Sequence, residues 1–252
     1  MVVKINRRGQ VTLFVIIAIV IVLAIMVVFF LGRYYSQKPE DLNPEAFIDK
    51  CARDAVSLSA NKIFNNGGLA NPELTIMYQD EKYNYLCYQK NYYWTCVNQL
   101  PALKQVIEKE IRNDTIQKIR QCFQTLKEDI ESKGFSISEG ELNYSIELVQ
   151  KKILIKINKK FEISKEQSIQ RFTKFDTQLL SPMYELSMVA REISNQESQY
   201  CNFEYNGFVL LYPGYEIKRI SYDDSRIYKV KDRVSGKEFK FAVRSCAFPP
   251  GM

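Results

Sequence analysis

The sequence from Val11 to Leu31 reads VTLFVIIAIVIVLAIMVVFFL, and it decides how the rest of the chain is organised. These 21 residues carry no charge, and Thr12 alone interrupts the apolar side chains. As a helix the run would be about 31 Å long, which matches the hydrocarbon thickness of a bilayer. A buried core helix keeps a polar stripe, whereas this run is apolar on every face. We therefore predict a transmembrane helix over residues 10–33.

The charges on either side of the apolar run predict its orientation. Lys4, Arg7 and Arg8 lie on the short N-terminal side, while Arg33 and Lys38 on the far side are accompanied by acidic residues. Because basic flanks stay on the cytoplasmic side, the N-terminus is expected inside the cell and the following domain outside. The run ends without the small-residue cleavage site of a secretory signal, so the helix is expected to remain in the mature protein.

The expected fold class is α+β, with an N-terminal transmembrane helix followed by a mixed helix and antiparallel-sheet domain outside the cytoplasm. The predicted segments are a basic cytoplasmic leader (1–9), the transmembrane helix (10–33), a linker (34–42), an α+β domain (43–198) and a C-terminal β-rich part of that domain (199–252).

The charge balance and the absence of histidine exclude several classes of function. Four basic residues next to the apolar run account for most of the formal charge of +6, since the remaining chain has 31 basic and 29 acidic residues. So small an excess of basic residues does not indicate a nucleic-acid-binding protein. Without histidine the chain lacks the commonest general base and zinc ligand, and it has no glycine-rich phosphate loop. We expect no catalytic residue, no cofactor site, no metal site and no enzyme activity.

Two helical regions are predicted in the domain. Asn43-Pro44 is typical of a helix N-cap followed by the first helical position, and the residues 65–68, Asn-Asn-Gly-Gly, are typical of a helix end. A second helical region begins at Pro101 and ends at Gly134, with a kink or break expected at Asn113-Asp114.

A β-hairpin is predicted between Leu142 and Ser164, where apolar and polar residues alternate. A two-residue turn at Gln150-Lys151 would give the hairpin one apolar face. The cross-strand pairs would be Leu148 with Ile153, Ile146 with Ile155, and Tyr144 with Ile157.

The last third of the chain yields three further predictions. Apolar residues from Phe172 to Ile193 predict an amphipathic helix that is interrupted or restarted at Ser181-Pro182. The continuous apolar run from Phe208 to Tyr212 predicts a strand. Residues 227–234 and 237–243 predict a hairpin around Ser235-Gly236.

The stretch from Leu74 to Val97 is rich in tyrosine and contains Trp94, which favours strands. Two interpretations remain open for these aromatic residues. They could form a binding platform for a glycan or a polypeptide, since tyrosine and tryptophan combine rigid contact area with a polar group. Alternatively, they could be the core and wall of a small sheet packed on helices.

Six cysteines follow the apolar run, and we predict that they form disulfides. No Cys-x-x-Cys pair is present for zinc, and a nucleophilic cysteine would need histidine. Spacing alone leaves the connectivity open, but the expected elements favour one pairing. In this pairing, Cys51–Cys122 joins two helices, Cys87–Cys96 closes the aromatic segment, and Cys201–Cys246 closes the C-terminal sheet.

Asn113-Asp114-Thr115 and Asn143-Tyr144-Ser145 match the acceptor sequence for N-glycosylation. Such sites are meaningful only outside the cytoplasm. Asn113 and Asn143 are therefore candidate glycosylation sites if the topology is as predicted.

The residues Arg7-Arg8-Gly9-Gln10 before an uninterrupted apolar helix resemble the archaeal class III signal of prepilins and type IV pilin-like proteins. The resemblance implies cleavage between Gly9 and Gln10 on the cytoplasmic face. Over residues 7–197 the chain also resembles uncharacterised archaeal single-pass membrane-anchored proteins. Pilins usually carry glutamate five residues into the mature chain, where this sequence has Phe14, and this departure counts against filament assembly.

These expectations describe a membrane-anchored protein at the cell surface, a structural or binding module with no cofactor. The alternative is a pilin-like subunit of a surface filament. The expected partners are the lipid bilayer and other membrane or pilin-like subunits through the N-terminal helix, and not nucleic acid.

Overall fold

Residues 16–28 form a helix, α1, in which every side chain is exposed. The helix belongs to the first of two units, and the second unit begins at Pro44. The computed structural model describes residues 16–28 and 43–249. Within these ranges, no helix is both long enough and apolar enough to cross a membrane. The expected leader and linker, and the two ends of the expected transmembrane helix, lie outside the described residues.

The second unit is α+β, as predicted. Its helices are α2 (Pro44–Asn65), α3 (Leu103–Ser132), α4 (Met183–Tyr200) and α5 (Tyr205–Leu211). Its strands are β1 (Thr75–Tyr78), β2 (Glu81–Tyr88), β3 (Val97–Asn98), β4 (Ser136–Glu139), β5 (Asn143–Val149), β6 (Lys152–Lys165), β7 (Ser168–Lys174), β8 (Thr177–Leu180), β9 (Tyr215–Tyr222), β10 (Ser225–Asp232) and β11 (Glu238–Arg244).

Helix α2 begins and ends where the sequence predicts. Pro44 is its first residue, and Gly67 and Gly68 follow it with φ of 61° and 96°. A Cβ atom at Gly68 would lie 2.8 Å from the Cδ1 atom of Leu103, but it is the left-handed φ that requires glycine there. Helix α2 packs against α3, and the Cys51–Cys122 disulfide joins the two.

The break expected at Asn113-Asp114 is wrong, because α3 runs without interruption from Leu103 to Ser132. Asn113 and Asp114 are exposed, so they cost the helix only their modest propensity. Thr115 is buried, donates to the Ile111 carbonyl over 2.6 Å and lies 2.7 Å from the Tyr144 hydroxyl. Packing of the buried face therefore overrides the local signal.

The hairpin of β5 and β6 has the predicted register. Leu148 lies opposite Ile153, Ile146 opposite Ile155 and Tyr144 opposite Ile157. All six side chains are buried. Lys151 adopts a left-handed conformation with φ of 61° in the two-residue turn.

Strand β6 is the central strand of one sheet. The helix predicted from Phe172 is wrong at its start, because that part of the chain pairs with β6. Its first half pairs with β5 and β8, and its second half pairs with β4 and β7. Phe172 and Leu179 lie opposite Phe161 and Ile153 of β6. Residues 168–180 are therefore mostly strand, and the helix begins only at Met183. Strand β6 is long enough to pair with both β7 and β8, and this pairing makes these residues strands. A short apolar pattern alone does not distinguish a strand from a helix.

The other sheet has the strand order β1-β2-β11-β10-β9, with β3 also paired to β2. The predicted hairpin around Gly236 is confirmed as β10 and β11. The described strand pairs are antiparallel, as expected, except that β11 runs parallel to β2 with Val243 opposite Cys87. This pairing places the C-terminal strands in the same sheet as the aromatic segment.

The strand predicted over Phe208–Tyr212 is also wrong, since Tyr205–Leu211 is helix α5. The Glu204 side chain accepts a hydrogen bond of 2.6 Å from the Gly207 backbone and caps this helix. A short apolar run does not distinguish a strand from a helix. No residue of α5 is buried.

Candidate functional site

The aromatic segment divides into a buried part and an exposed part. Tyr83 and Tyr85 on β2 are buried, and they pack with Ile227 and Ala242 of the neighbouring strands. The loop that follows β2 instead exposes its aromatic side chains, including Trp94. The core interpretation thus holds for the strand, and the loop alone leaves aromatic rings available for binding.

We define the aromatic surface by five exposed residues, three in the loop after β2, one at the start of β3 and one near the C-terminus. The exposed fraction is 64% for Trp94 and 67% for Phe248. The ring of Phe248 contacts Tyr93 edge to face, with centroids 5.5 Å apart. The residues are Tyr92, Tyr93, Trp94, Val97 and Phe248.

The Cys87–Cys96 disulfide closes the loop, and backbone hydrogen bonds hold it against the C-terminal segment. Tyr93 donates its backbone N–H to the Ala247 carbonyl over 2.9 Å, and Cys246 donates to the Trp94 carbonyl over 2.7 Å. Tyr93 has φ of 65° and Cys246 has φ of 44°. Such left-handed residues cost of order 1–3 kcal/mol each, so the surrounding bonds must hold them in place.

Ser245 connects this loop to helix α4. Its hydroxyl accepts a hydrogen bond of 3.1 Å from the Cys96 backbone and donates to the Glu197 carbonyl over 2.8 Å. The next residue, Cys246, forms the third disulfide with Cys201 at the end of α4. Two disulfides and one buried serine therefore join the aromatic surface to the core.

Beneath this junction lies a buried carboxylate, Glu197, which has no exposed surface. Its carboxylate accepts hydrogen bonds from the Arg226 guanidinium and the Tyr228 hydroxyl. Burial and the negative charge of Glu197 raise the pKa of Tyr228, so its hydroxyl remains a donor. Arg226 also donates to the Cys201 carbonyl over 2.7 Å, which ties strand β10 to the end of α4.

Arg244 supports the surface from below. Its guanidinium lies 5.0 Å from the Tyr92 ring centroid and 5.8 Å from that of Tyr88. The Nε atom donates to Asp224 over 2.7 Å. Burial lowers the pKa of Arg244, but the hydrogen bond and charge of Asp224 outweigh that effect and raise it overall. The guanidinium therefore stays protonated, its charge is paired with that of Asp224, and it contacts the Tyr92 ring.

The exposed side chains of the aromatic surface are suited to non-covalent contacts with a ligand. Exposed rings can stack on apolar faces of a ligand, and the Trp94 indole can donate a hydrogen bond. Among the described residues, no group of three or more acidic or cysteine side chains could hold a metal ion.

The six cysteines form the three predicted pairs, and none is free. Asn113 and Asn143 are both exposed, and their glycosylation stays a prediction. Gly9 and Gln10 lie outside the described residues.

Sequence reasoning missed Glu197 and Phe248. A signal for Glu197 exists, because it follows Ile193 by four residues on the apolar face of α4. A carboxylate on that face indicates a buried partner. Nothing near Phe248 in sequence indicates its contact with Tyr93, which depends on the parallel pairing of β2 and β11.

Comparisons with known protein families, with curated proteins and with solved structures find no match to this chain. The class that the structure defines is an α+β protein with three disulfides.

Proposed function

We propose that this protein is a membrane-anchored, extracytoplasmic surface module with a structural or binding role. Residues 10–33 hold it in the bilayer as a single span, the N-terminus is cytoplasmic, and the domain from residue 43 is outside the cell. The aromatic surface is its contact for a glycan or polypeptide ligand. No enzyme activity is proposed, since the sequence contains no histidine and no recognisable catalytic motif.

The observation that carries the proposal is the pairing of all six cysteines. Disulfides persist in oxidising compartments and are rare in the cytosol. The three disulfides therefore indicate an extracellular or secreted environment for the domain.

The exposed helix α1 supports the anchor. All 13 of its described side chains are uncharged and exposed, from Ile16 to Val28. Exposed apolar surface of this extent needs a cover of lipid or of other helices. The sequence continues uncharged on both sides of α1, from residue 11 to residue 31. The basic residues Lys4, Arg7 and Arg8 support a cytoplasmic N-terminus.

A second candidate function is a pilin-like subunit of a surface filament. The sequence Arg7-Arg8-Gly9-Gln10 before the apolar run favours it. In that role, cleavage after Gly9 would free the helix to pack with other subunits. Phe14 cannot provide the acidic partner that pilins use, so packing alone would have to set the helix register. Mass spectrometry of the native N-terminus and electron microscopy of expressing cells distinguish the two roles.

Alkaline carbonate extraction of membranes tests the anchor. The full chain should remain in the membrane pellet. The double variant Ile19→Arg/Leu23→Arg should be released, because each arginine costs about 2.5–3.5 kcal/mol at the centre of a span. The matched variant Ile19→Met/Leu23→Met should remain in the pellet. Release of the unchanged protein would contradict the proposal.

A further inference from the structure

An open cleft lies between α4 and α5, and none of its lining residues belongs to the aromatic surface. Its volume is ≈550 Å³, and Tyr215 of β9 lines it together with the two helices. This size is typical of ligand-binding clefts. The apolar part of its wall is formed by Met188, Phe208 and Leu211.

The apolar surface continues out of the cleft onto α5. Leu211 is 76% exposed, and the neighbouring Leu210 is 83% exposed. The ring of Tyr212, also exposed, lies 4.6 Å from that of Phe208. Contiguous exposed apolar residues of this kind mark interaction sites. A ligand confined to the cleft would leave this part uncovered, so the shape favours an elongated occupant.

The cleft is negatively charged. Glu185, Glu192 and Glu204 line it, against the single cation Arg191. Within residues 16–28 and 43–249, none of the three carboxylates forms an ion pair. Their contacts are with uncharged donors: the Lys151 backbone to Glu185 at 2.7 Å, and the N–H groups of Gln196 to Glu192 at 2.8 Å and Gly207 to Glu204 at 2.6 Å. The cleft therefore keeps an excess of negative charge.

Tyr215 lies within the electrostatic field of one of these carboxylates. Burial raises its pKa, and the negative charges of Glu185 and Asp232 raise it further. An occupant of the cleft consequently meets apolar contacts along α5 and a field that favours positive charge.

We propose that this cleft binds a cationic amphipathic helix of a partner protein. Its leucine-like side chains would pack against Met188, Phe208 and Leu211. Its lysine or arginine side chains would pair with Glu192 and Glu204. This is the helix-in-groove mode, in which apolar residues on one face supply affinity and charges at the edge select the partner. The inference does not depend on the aromatic surface.

The test uses the full chain in nanodiscs of zwitterionic lipid and two photo-crosslinking peptides. One is an amphipathic helix of leucine and lysine, and the other has glutamate in place of lysine. The lysine peptide should bind saturably and cross-link to residues 184–215. Its affinity should fall at least fivefold in Glu192→Lys and in Leu210→Ser/Leu211→Ser, two variants that change exposed side chains.

The control variant is Glu128→Lys on α3. Glu128 is exposed and accepts a hydrogen bond of 2.8 Å from Gln124, as Glu192 does from Gln196. It should leave the affinity unchanged. Equal binding of the acidic peptide, an unchanged affinity in Glu192→Lys, cross-links outside the cleft or no saturable binding would each overturn the proposal. So would peptide-independent self-association through α5, which would identify a second copy as the occupant.

Discussion

Cys246 donates its backbone N–H to the carbonyl of Trp94 over 2.7 Å, which joins the exposed tryptophan of the aromatic loop to the C-terminal disulfide. The Cys87–Cys96 disulfide thus joins the two ends of the loop, and the segment around Cys246 holds its middle. Trp94 is the single tryptophan in the sequence, so its fluorescence reports on this surface alone.

Removing the loop disulfide should loosen the aromatic surface. In Cys87→Ser/Cys96→Ser, acrylamide quenching of Trp94 should increase and its emission anisotropy should fall. Unfolding should also become easier by about 2–4 kcal/mol. The control Cys51→Ser/Cys122→Ser removes a disulfide between helices and should leave the native-state quenching of Trp94 unchanged. Equal changes in both variants would show that the loop disulfide does not hold this surface.

Thr115 and Tyr144 should be energetically coupled. Their hydroxyls lie 2.7 Å apart in the core, so Thr115→Val leaves the Tyr144 hydroxyl without its acceptor. Each of Thr115→Val and Tyr144→Phe should lower the free energy of unfolding by about 1–3 kcal/mol. The double variant should lose less than the sum, with a coupling of about 1 kcal/mol in urea denaturation. Strict additivity would show that the bond contributes nothing.

The sequence predicts the parts of this fold that depend on neighbouring residues. The register of β5 and β6 follows from alternation, because a shift by one residue would expose Ile153 and bury Lys152. The boundaries of α2 follow from Pro44 and the glycines after Asn65.

Two features that sequence reasoning missed, the strands over residues 168–180 and the contact of Phe248, depend on distant partners. Residues 168–180 are mostly strand because they pair with β6. Phe248 reaches Tyr93 only because β11 pairs in parallel with β2. Within the candidate site, the exposed loop could be suspected from its aromatic composition. Its support by Glu197 and Ser245 could not, since that support requires the tertiary fold.

Glu197 should contribute far more to the free energy of unfolding than a surface glutamate on the same helix. Glu197→Gln removes the charge that neutralises Arg226, and breaking a buried pair costs about 3–5 kcal/mol. We expect the lower end, about 3 kcal/mol, because Arg226 keeps 26% of its side-chain surface exposed. The control Glu192→Gln on α4 should change stability by less than about 0.5 kcal/mol. Similar losses in the two variants would contradict the role assigned to Glu197.

Glu81 should make a stabilising contribution that disappears in acid. The hydrogen bond from Tyr83, and then that from Lys240, lower the pKa of Glu81 from 4.5 to about 2. A folded pKa below the unfolded one means that the stabilisation is present above pH 4.5 and lost as the pH falls towards 2. Solvent screening at this half-exposed side chain keeps it to about 0.5–1 kcal/mol.

Urea unfolding at several pH values checks this prediction. Glu81→Gln should be less stable than the unchanged protein at pH 7, and the difference should vanish near pH 2. The exposed Glu166→Gln on the β6–β7 turn is the control and should show no such trend. A difference that stays constant with pH would show that the charge of Glu81 is not involved.

Protease protection in intact cells tests the central claim, an anchored domain outside the cytoplasm, most directly. Protease added to sealed cells should digest the domain from residue 43 onward and leave an N-terminal fragment in the membrane. Antibody detection of a C-terminal tag follows the loss, and a cytoplasmic protein serves as the control for sealing. A domain that is protected in sealed cells and cut only after lysis would contradict the account.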